Sequence, residues 1–398
     1  MQKRIMMLGG NLVQCTAIKA AKALGYYVIT VDYLPENPGH KFADEYHNIS
    51  TIDKEAVLEL ARTLDIDGIL SYASDVSAPT AAYVAEALGL PTNPYESVNI
   101  MTHKDLFRKF LRENGFPMPE GASFGDKAEA LEFFRSTRKP VMVKPIDSSG
   151  SKGANKVYTE EEFDAAWEEA MHYSISKHAI VERFLQRTGY QIDGDAFVNN
   201  GEIVFWGICD QHHDDTCSLY APDGHSYPPT QLQKYQDNAR AQIEKLLKLL
   251  GMHMGGYNIE YIVDENDEVY LLEIGPRNGG NWIANAIKAS TDFDMPSYVV
   301  RQAVGEDVSE ACQMDVIRPA SSYVIHATKD GIYKGIDIDP VLKPHITAME
   351  VSVQPGEEVH KFRNASFGLG MMVLTFDTTE QMCDMIDNMN DYLHVIVE

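Results

Sequence analysis

The first hundred residues alternate short apolar stretches with amphipathic ones, and this alternation is the strongest constraint on the fold. The pattern predicts strands at Arg4–Gly10, Tyr27–Asp32 and Gly68–Asp75 and helices at Cys15–Gly25 and Lys54–Leu64. A helix that connects two strands brings the chain back to the same edge of a sheet, so the strands pair in parallel. We therefore expect an α/β unit with a parallel, doubly wound sheet.

A glycine pair follows the first predicted strand, in the sequence GGNLVQ over Gly9–Gln14. This is not the GxGxxG pattern of dinucleotide-binding turns, although Asp32 closes the second strand where a ribose-binding acid would stand. A tight turn that packs a helix on a strand is the more typical interpretation. We interpret this part of the chain as a scaffold that contributes to a substrate pocket, and a dinucleotide-dependent oxidoreductase is the weakest alternative.

The charge balance limits the classes of partner. Against 59 acidic residues the 398-residue chain has 34 Lys and Arg, which gives a formal net charge of -25. Such a surface repels nucleic acid and anionic membranes, so any bound phosphate needs a local pocket. The five cysteines are far apart and form no CxxC, and no apolar run is long enough for a signal peptide or a membrane span. We expect a cytoplasmic protein without nucleic-acid or membrane partners.

The stretch VMVKPIDSSGSKG, residues 141–153, places a lysine at the end of an apolar strand and a Gly/Ser-rich loop behind it. Backbone N–H groups and hydroxyls of Ser148–Gly153 can fold over a phosphate. The loop is not a Walker A sequence, because no GK[ST] enters a helix. For Lys144 alone, extension to solvent is an alternative. Together with Lys104 on the predicted helix His103–Gly115, however, it indicates a polyanion site.

Two glutamates lie on a predicted hairpin, Gly256–Ile274. If Asp264–Asp267 is a four-residue turn, Glu260 faces Leu271, and Glu260 and Glu273 share one face, a diagonal step apart. Close carboxylates repel unless a proton or a cation lies between them, and hard oxygen ligands suit Mg²⁺. A solvent-facing strand with unrelated glutamates is the alternative, but the apolar neighbours of Glu273 argue against it.

The glycine-rich bend IGPRNGGN follows Glu273 and contains Arg277 and Asn281. Glycines allow the backbone to approach a ligand closely, and an arginine there can hold a carboxylate or phosphate with two hydrogen bonds. Both residues are therefore candidates for substrate contact.

A polar, irregular segment, DQHHDDTCSLYAPDGHSYPP over 210–229, is rich in His, Asp and Tyr. Its composition suggests a metal, but the spacing fits no zinc pattern. His212 and His213 are candidates for substrate contact or acid–base work. A merely solvated loop is the alternative.

In order and spacing, the motifs KDLFRKF, VMVKP–SSGSKG, VERFL, NIEYIV and LEIGPRNGG resemble the ATP-grasp superfamily, above all its carboxylate–amine ligases. These include the bacterial L-amino-acid ligases and ATP-grasp enzymes of purine synthesis. The resemblance covers Asn99 to Cys312 and implies an α/β and α+β ATP-grasp fold. The implied parts are a Rossmann-like domain over 1–98, an ATP-grasp domain over 99–312 with lobes at 115–182 and 183–312, and a small β-rich domain over 313–398.

The resemblance also implies roles for the matching residues. ATP would be contacted by Lys104, Lys144, Ser148, Ser149, Gly150, Ser151, Gly153, Glu182, Phe184, Leu185 and Gln191. Within this set, the two lysines would bind phosphates and Glu182, Phe184 and Leu185 would hold adenine. The metal ligands would be Glu260, Glu273 and Asn278, for Mg²⁺ or alternatively Mn²⁺. Arg277 and Lys144 would be the catalytic residues.

Two positions depart from the pattern of many relatives. Gln191 stands where they have a ribose-binding glutamate. Gly275 stands where they have an asparagine that ligates the metal, so that this ligand is missing or is replaced by Asn278. Some members that resemble amino-acid ligases share the glycine, which favours that branch.

The implied function is an ATP-dependent carboxylate–amine or carboxylate–thiol ligase that works through an acyl-phosphate. Its partners would be a small carboxylic acid, an amine and a second copy of the chain. The alternatives are a carbamoyl-phosphate-synthase-like or other carboxylate-phosphorylating enzyme, and a non-catalytic ATP-binding sensor. Glu260, Glu273 and Arg277 argue against the sensor, because binding alone does not need them.

Overall fold

The computed structural model describes residues 2–137, 140–218 and 220–398. The strands are β1 Arg4–Leu8, β2 Tyr27–Val31, β3 Glu45–His47, β4 Gly68–Ser71, β5 Gly121–Phe124, β6 Val141–Pro145, β7 Asn155–Val157, β8 Ala179–Arg183, β9 Gln191–Asn199, β10 Glu202–His212, β11 Gly224–Tyr227, β12 Met254–Val263, β13 Val269–Gly275, β14 Ala320–His326, β15 Gly331–Ile338, β16 Ile346–Val351, β17 Glu358–Val359, β18 Gly368–Thr375 and β19 Leu393–Val397. The α-helices are α1 Cys15–Ala23, α2 Lys54–Leu64, α3 Ala78–Leu88, α4 Tyr95–Thr102, α5 Lys104–Glu113, α6 Lys127–Thr137, α7 Glu160–Tyr173, α8 Gln233–Leu250, α9 Ile283–Thr291, α10 Met295–Ala303 and α11 Thr379–Asp387.

The N-terminal sheet has the order β3-β2-β1-β4, and its strands pair in parallel, which confirms the predicted α/β unit. The turn between β1 and α1 is held by Asp32, whose carboxylate accepts a hydrogen bond from the Gly10 amide at 3.0 Å. Gly9 adopts a φ of 100°, which a residue with a side chain rarely adopts. These contacts support the interpretation of GGNLVQ as a tight turn.

A second, antiparallel sheet has the order β5-β8-β6-β7. Helix α7 packs on β6 and β7 and buries Phe163 and Trp167 against Val141 and Val143. The predicted strand Lys139–Pro145 corresponds to β6, and Lys139 itself lies outside the described residues. This small sheet carries the Gly/Ser loop between β6 and β7.

The large sheet has eight strands in the order β13-β12-β9-β10-β11-β14-β18-β16. Helix α8 buries Ile243 and Leu247 on one face of this sheet. On the opposite face, Ile287 of α9 packs with Phe197 and Phe205. Strands β14, β16 and β18 come from the region after Cys312 and extend this sheet, whereas β15, β17 and β19 form a separate small one. The division of the chain at residue 312 remains a prediction.

The register of the hairpin β12–β13 differs from the predicted one. Val263 pairs with Val269, and a shift between Glu260 and Tyr261 places Glu260 directly opposite Glu273. The prediction of a diagonal step was wrong because the turn is one residue longer than assumed and a β-bulge adds a further residue to β13. The two carboxylates are therefore closer neighbours than the sequence indicated.

Over the described part of the chain, none of the helices combines the length and the apolar character needed to cross a bilayer.

Helix α7 begins with a capping box, in which Thr159 accepts from the Glu162 amide at 3.3 Å and Glu162 accepts from the Thr159 amide at 3.2 Å. We expect Thr159→Ala to destabilise the small sheet by about 1 kcal/mol, because an amide of the first turn loses its partner. Thr159→Ser keeps the hydroxyl and should match the wild type. Hydrogen exchange of the α7 amides measures the difference, and equal exchange in the two variants would contradict the assignment.

Candidate active site

The sheets meet around one large cleft with a volume of about 1110 Å³. Its walls come from the β1–α1 turn, from the Gly/Ser loop between β6 and β7, and from the hairpin β12–β13. Residues 365–371, before and within β18, complete the cleft on the C-terminal side. Sequence segments more than 300 residues apart thus enclose one volume.

Lys144 lies at the end of β6, within a buried charged group. Its Nζ is 2.5 Å from Oε1 of Glu182, and Nε of Arg108 donates to the other carboxylate oxygen at 2.9 Å. Burial opposes ionisation of Glu182, but Arg108 and Lys144 outweigh it and lower its pKa to about 2. Burial also lowers the pKa of Lys144 more than Glu182 raises it. The three side chains together keep one positive charge at the cleft wall.

Lys104, at the start of α5, faces the same cleft from the other side. Its Nζ is 3.1 Å from Oε2 of Glu273 and donates to the backbone oxygen of Ser148 at 2.8 Å. Lys104 thereby links the carboxylate of Glu273 to the Gly/Ser loop. Lys104 and Lys144 thus line the same cleft, as the sequence predicted.

The Gly/Ser loop is held from two sides. The hydroxyl of Ser151 donates to the backbone oxygen of Tyr220 at 2.6 Å, and the amide of Ala365 donates to the backbone oxygen of Gly150 at 3.2 Å. Gly150 and Gly153 have positive φ angles, which allow the loop to turn over the cleft. The cleft-lining residues of this loop are Ser148, Ser149, Gly150, Ser151, Lys152 and Ala154.

An apolar slot follows the lysines along the cleft. Phe184 and Leu185, directly after β8, line it together with Met142, Ile262 and Leu272. Such a slot suits a planar, largely apolar ring. Glu182, which was predicted to share in holding that ring, also lines the cleft, but its carboxylate is already paired with the two cations described above.

The Glu260–Glu273 pair has two different environments. Burial, with Asp193 and Glu273, raises the pKa of Glu260 well above its usual range. Burial also opposes ionisation of Glu273, but Lys104 and Arg277 outweigh it and lower its pKa. The two environments favour the protonated form of Glu260 and the charged form of Glu273, and the oxygen atoms of the pair are of the kind that divalent cations bind. Gln191 lies beside the pair, and its amide donates to Oε2 of Glu260 at 3.4 Å.

Arg277 forms a two-point ion pair with Asp75, which lies in the turn between β4 and α3. Its Nε is 2.8 Å from Oδ1 of Asp75, its Nη2 contacts the other oxygen, and its Nη1 donates to Oδ1 of Asn258 at 2.9 Å. A Cβ atom on Gly275 would lie only 2.9 Å from the Asp75 carboxylate. The ion pair thus explains why position 275 has no side chain.

The structure does not support Asn278 as a metal ligand. Its amide donates to Asp195 at 3.0 Å and to the sulfur of Met295, and the side chain lines no part of the main cleft. Asn258 instead lies opposite Gly275 and on the same strand face as Glu260, and it does line the cleft. Asn258 therefore occupies the position next to the carboxylate pair.

The predicted substrate residues separate into two groups. His213 and Asn281 line the cleft, as does Arg277. His212 does not, because its ring turns to the other side of the strand, where Nδ1 is 2.6 Å from Asp387 on α11. The prediction of His212 as a substrate contact is therefore not supported. Burial lowers the pKa of His213 to about 3, so this ring is neutral.

Sequence reasoning missed Asp193 at the cleft floor. Its carboxylate accepts from Asn258 at 2.6 Å, from His225 at 3.0 Å and from Gln211 at 3.3 Å. Asp193 pairs with Glu260 across β9 and β12. Only this strand pairing reveals its role, because the local sequence QIDGDAF carries no site pattern.

Comparison with known proteins identifies part of the chain directly. Residues 137–286 match the model of the ATP-grasp domain. Among curated proteins, the chain is 26% identical over 300 residues to the carbamoyl phosphate synthase large chain, C-terminal section, of Aquifex aeolicus, which covers 74% of the chain and 54% of that protein. It is 25% identical over 362 residues to the carbamoyl phosphate synthase large chain of Vibrio cholerae, covering 86% of the chain and 33% of that protein. The chain thus spans about a third to about half of these relatives.

Solved structures resemble the chain over its full length. L-amino acid ligase from Bacillus licheniformis has a TM-score of 0.83 at 19% identity, covering 100% of this chain and 99% of that one. Phosphoribosylglycinamide synthetase from Anaerococcus prevotii has a TM-score of 0.76 at 21% identity, with both chains covered completely. The biotin carboxylase domain of 2-oxoglutarate carboxylase from Hydrogenobacter thermophilus, solved with MgADP, has a TM-score of 0.77 at 17% identity and covers 100% of this chain and 91% of that one.

The cleft geometry, the domain match and these likenesses agree: the chain has the ATP-grasp fold and carries an ATP-grasp domain over residues 137–286.

Proposed function

We propose that the chain is an ATP-dependent ligase that joins a small carboxylic acid to an amine, with release of ADP and phosphate. The observation that carries this proposal is the partly buried Glu260–Glu273 pair, which shares one cleft with Lys104, Lys144 and Arg277. Simple nucleotide binding needs cations that face the phosphates, but it does not need two carboxylates opposite each other on neighbouring strands. The pair has the charge and the oxygen donors for Mg²⁺, and Mn²⁺ accepts the same ligands.

The residues would divide the work as follows. Lys104 and Lys144 hold phosphate oxygens, the Gly/Ser loop covers them, and the slot at Phe184 and Leu185 accepts the base. A divalent cation on Glu260 and Glu273 would neutralise charge on the phosphates. A carboxylate oxygen of the acid attacks the terminal phosphorus and ADP leaves; the amine nitrogen then attacks the acyl carbon, loses a proton, and phosphate leaves. Exclusion of water protects the acyl-phosphate in between.

The named relatives favour two versions of this chemistry. The full-length likeness to an L-amino acid ligase supports an amino acid or a similar amine as acceptor. The curated relatives are carbamoyl phosphate synthases, which supports a second candidate, an enzyme that phosphorylates a carboxylate-type acid and passes it to a different acceptor. A homodimer and a cytoplasmic location remain predictions.

The carboxylate pair gives the sharpest test of the ligase. We expect phosphate release from ATP and Mg²⁺ to require one acid–amine combination in a matrix of carboxylic acids and amino acids. Glu273→Gln should reduce this release on the order of 100-fold or more, because it removes the charge that holds the cation. Glu268→Gln, on the exposed turn of the same hairpin, is the matched control and should retain full activity.

Hydroxylamine separates the two candidate chemistries. Trapping of a hydroxamate from one acid in the absence of any amine would identify that acid and establish the acyl-phosphate. Release of phosphate with bicarbonate and ammonia alone would favour the carbamoyl-type reaction. If the protein binds ATP but no acid in the matrix yields either signal, the ligase proposal fails and a sensor takes its place.

The raised pKa of Glu260 predicts that metal binding depends on pH. The proton on Glu260 must leave before a cation binds, so Mn²⁺ affinity in the presence of ADP should rise with pH. We expect a rise of up to about tenfold per pH unit as long as Glu260 is protonated in the free protein, and a plateau at higher pH. Glu260→Gln should bind Mn²⁺ more weakly and lose this slope, as followed by electron paramagnetic resonance. An unchanged slope in the variant would show that another group carries the proton.

A further inference from the structure

A second cluster of side chains that can bind a metal ion lies behind the cleft wall, apart from the Glu260–Glu273 pair. Asp214 and Cys217 come from the segment after β10, and His326 ends β14. One ligand atom from each of these three residues lies within 4.8 Å of the others. Asp214 and His326 are buried, and Cys217 is partly buried. The strand pairing of the large sheet brings His326 next to a segment more than 100 residues earlier in the chain.

The carboxylate of Asp214 is oriented by its neighbours, as metal-binding carboxylates are. Oδ1 accepts from the amide of Thr216 at 2.8 Å and from its hydroxyl at 2.6 Å, while Oδ2 accepts from Asn390 at 3.0 Å. Nε2 of His326 lies 3.9 Å from Oδ2 of Asp214. The Phe362 ring stacks on the imidazole with ring centroids 4.7 Å apart and fixes its plane.

Two buried polar atoms of this cluster have no hydrogen-bond partner among the described residues, namely Nδ1 of His326 and Oδ1 of Asp223. Both side chains are only 4% exposed. Oδ2 of Asp223 is 3.5 Å from Nε2 of His326, so the imidazole faces two carboxylates at once. A buried polar atom without a partner costs free energy, which indicates that a ligand completes the cluster.

We propose that Asp214, Cys217 and His326 bind a zinc ion. A carboxylate oxygen, a thiolate sulfur and an imidazole nitrogen form a mixed set that suits zinc, whereas Mg²⁺ and Ca²⁺ prefer oxygen alone. One carboxylate, one thiolate and a divalent cation sum to zero charge, which suits a buried position. Asp214 and Cys217 have the two-residue spacing of zinc-knuckle ligand pairs, and a water molecule would complete a four-coordinate site.

The zinc would act on the cleft through the segment that it fixes. Asp215 lies between two of the ligands and Tyr220 follows them, and both residues line the cleft. The backbone oxygen of Tyr220 accepts the hydrogen bond from the hydroxyl of Ser151 in the Gly/Ser loop. The metal is therefore structural, and it holds one wall of the cleft in place. This inference rests on the cluster itself and is independent of the reaction that the cleft performs.

The test is the metal content of the full chain, produced in zinc-supplemented medium and dialysed against Mg²⁺ without a chelator. We expect about one Zn²⁺ per chain in the wild type and a zinc content lower by about tenfold or more in folded Cys217→Ser. Cys312→Ser changes an exposed cysteine elsewhere and should keep its zinc. Glu260→Gln should also keep its zinc, which separates this site from the carboxylate pair in the cleft.

Cobalt substitution decides the case even if Cys217→Ser fails to fold. The wild-type chain loaded with Co²⁺ should show thiolate-to-cobalt charge-transfer absorption in the near ultraviolet, and Cys312→Ser should show the same band. Absence of this band in the wild type, or zinc content that is equal in wild type and a folded Cys217→Ser, overturns the proposal. The cluster is then a metal-free network in which His326 pairs with Asp223.

Discussion

Two glutamates that face each other across a buried strand pair are the constraint on which the rest of the cleft depends. Glu260 and Glu273 are held in direct cross-strand register, where their mutual repulsion is poorly screened. Lys104 and Arg277 offset this repulsion and lower the pKa of Glu273, whereas burial and the neighbouring carboxylates raise the pKa of Glu260. The carboxylate pair therefore lacks a compensating positive charge at Glu260. In the proposed function, a divalent cation that accepts oxygen ligands would supply this charge.

The surrounding cations are paired before any ligand arrives. Lys144 shares Glu182 with Arg108, and Arg277 is paired with Asp75. Such pairing is needed because an isolated buried cation would be strongly disfavoured. It also fixes each cation in one geometry, so that the phosphates of the proposed ATP substrate would meet positioned donors rather than flexible side chains.

Local pattern was sufficient to predict the parts of this cleft that come from one stretch of chain. The lysine at the end of β6, the Gly/Ser loop and the glutamate hairpin were all found from residue order alone. The register of that hairpin was not predicted, because the sequence pattern gives no sign of a β-bulge. Asp75 and Arg108 were missed for a different reason. They lie 202 and 74 residues from the partners that give them a role, and only tertiary packing joins them.

The Asp75–Arg277 ion pair accounts for the glycine at position 275, and it joins the turn after β4 to the bend after β13. Many members of the family that the chain resembles have an asparagine at this position, but here the space beside Gly275 is filled by the carboxylate of Asp75 and the guanidinium of Arg277. Four hydrogen bonds of Arg277, two to Asp75 and one each to Asn258 and the backbone of Asn278, already use most of its donors. An anionic substrate group at this point must therefore share the guanidinium with Asp75 or displace it. Because Asp75 lies in the turn between β4 and α3, this choice decides whether the ion pair between that turn and the bend after β13 persists.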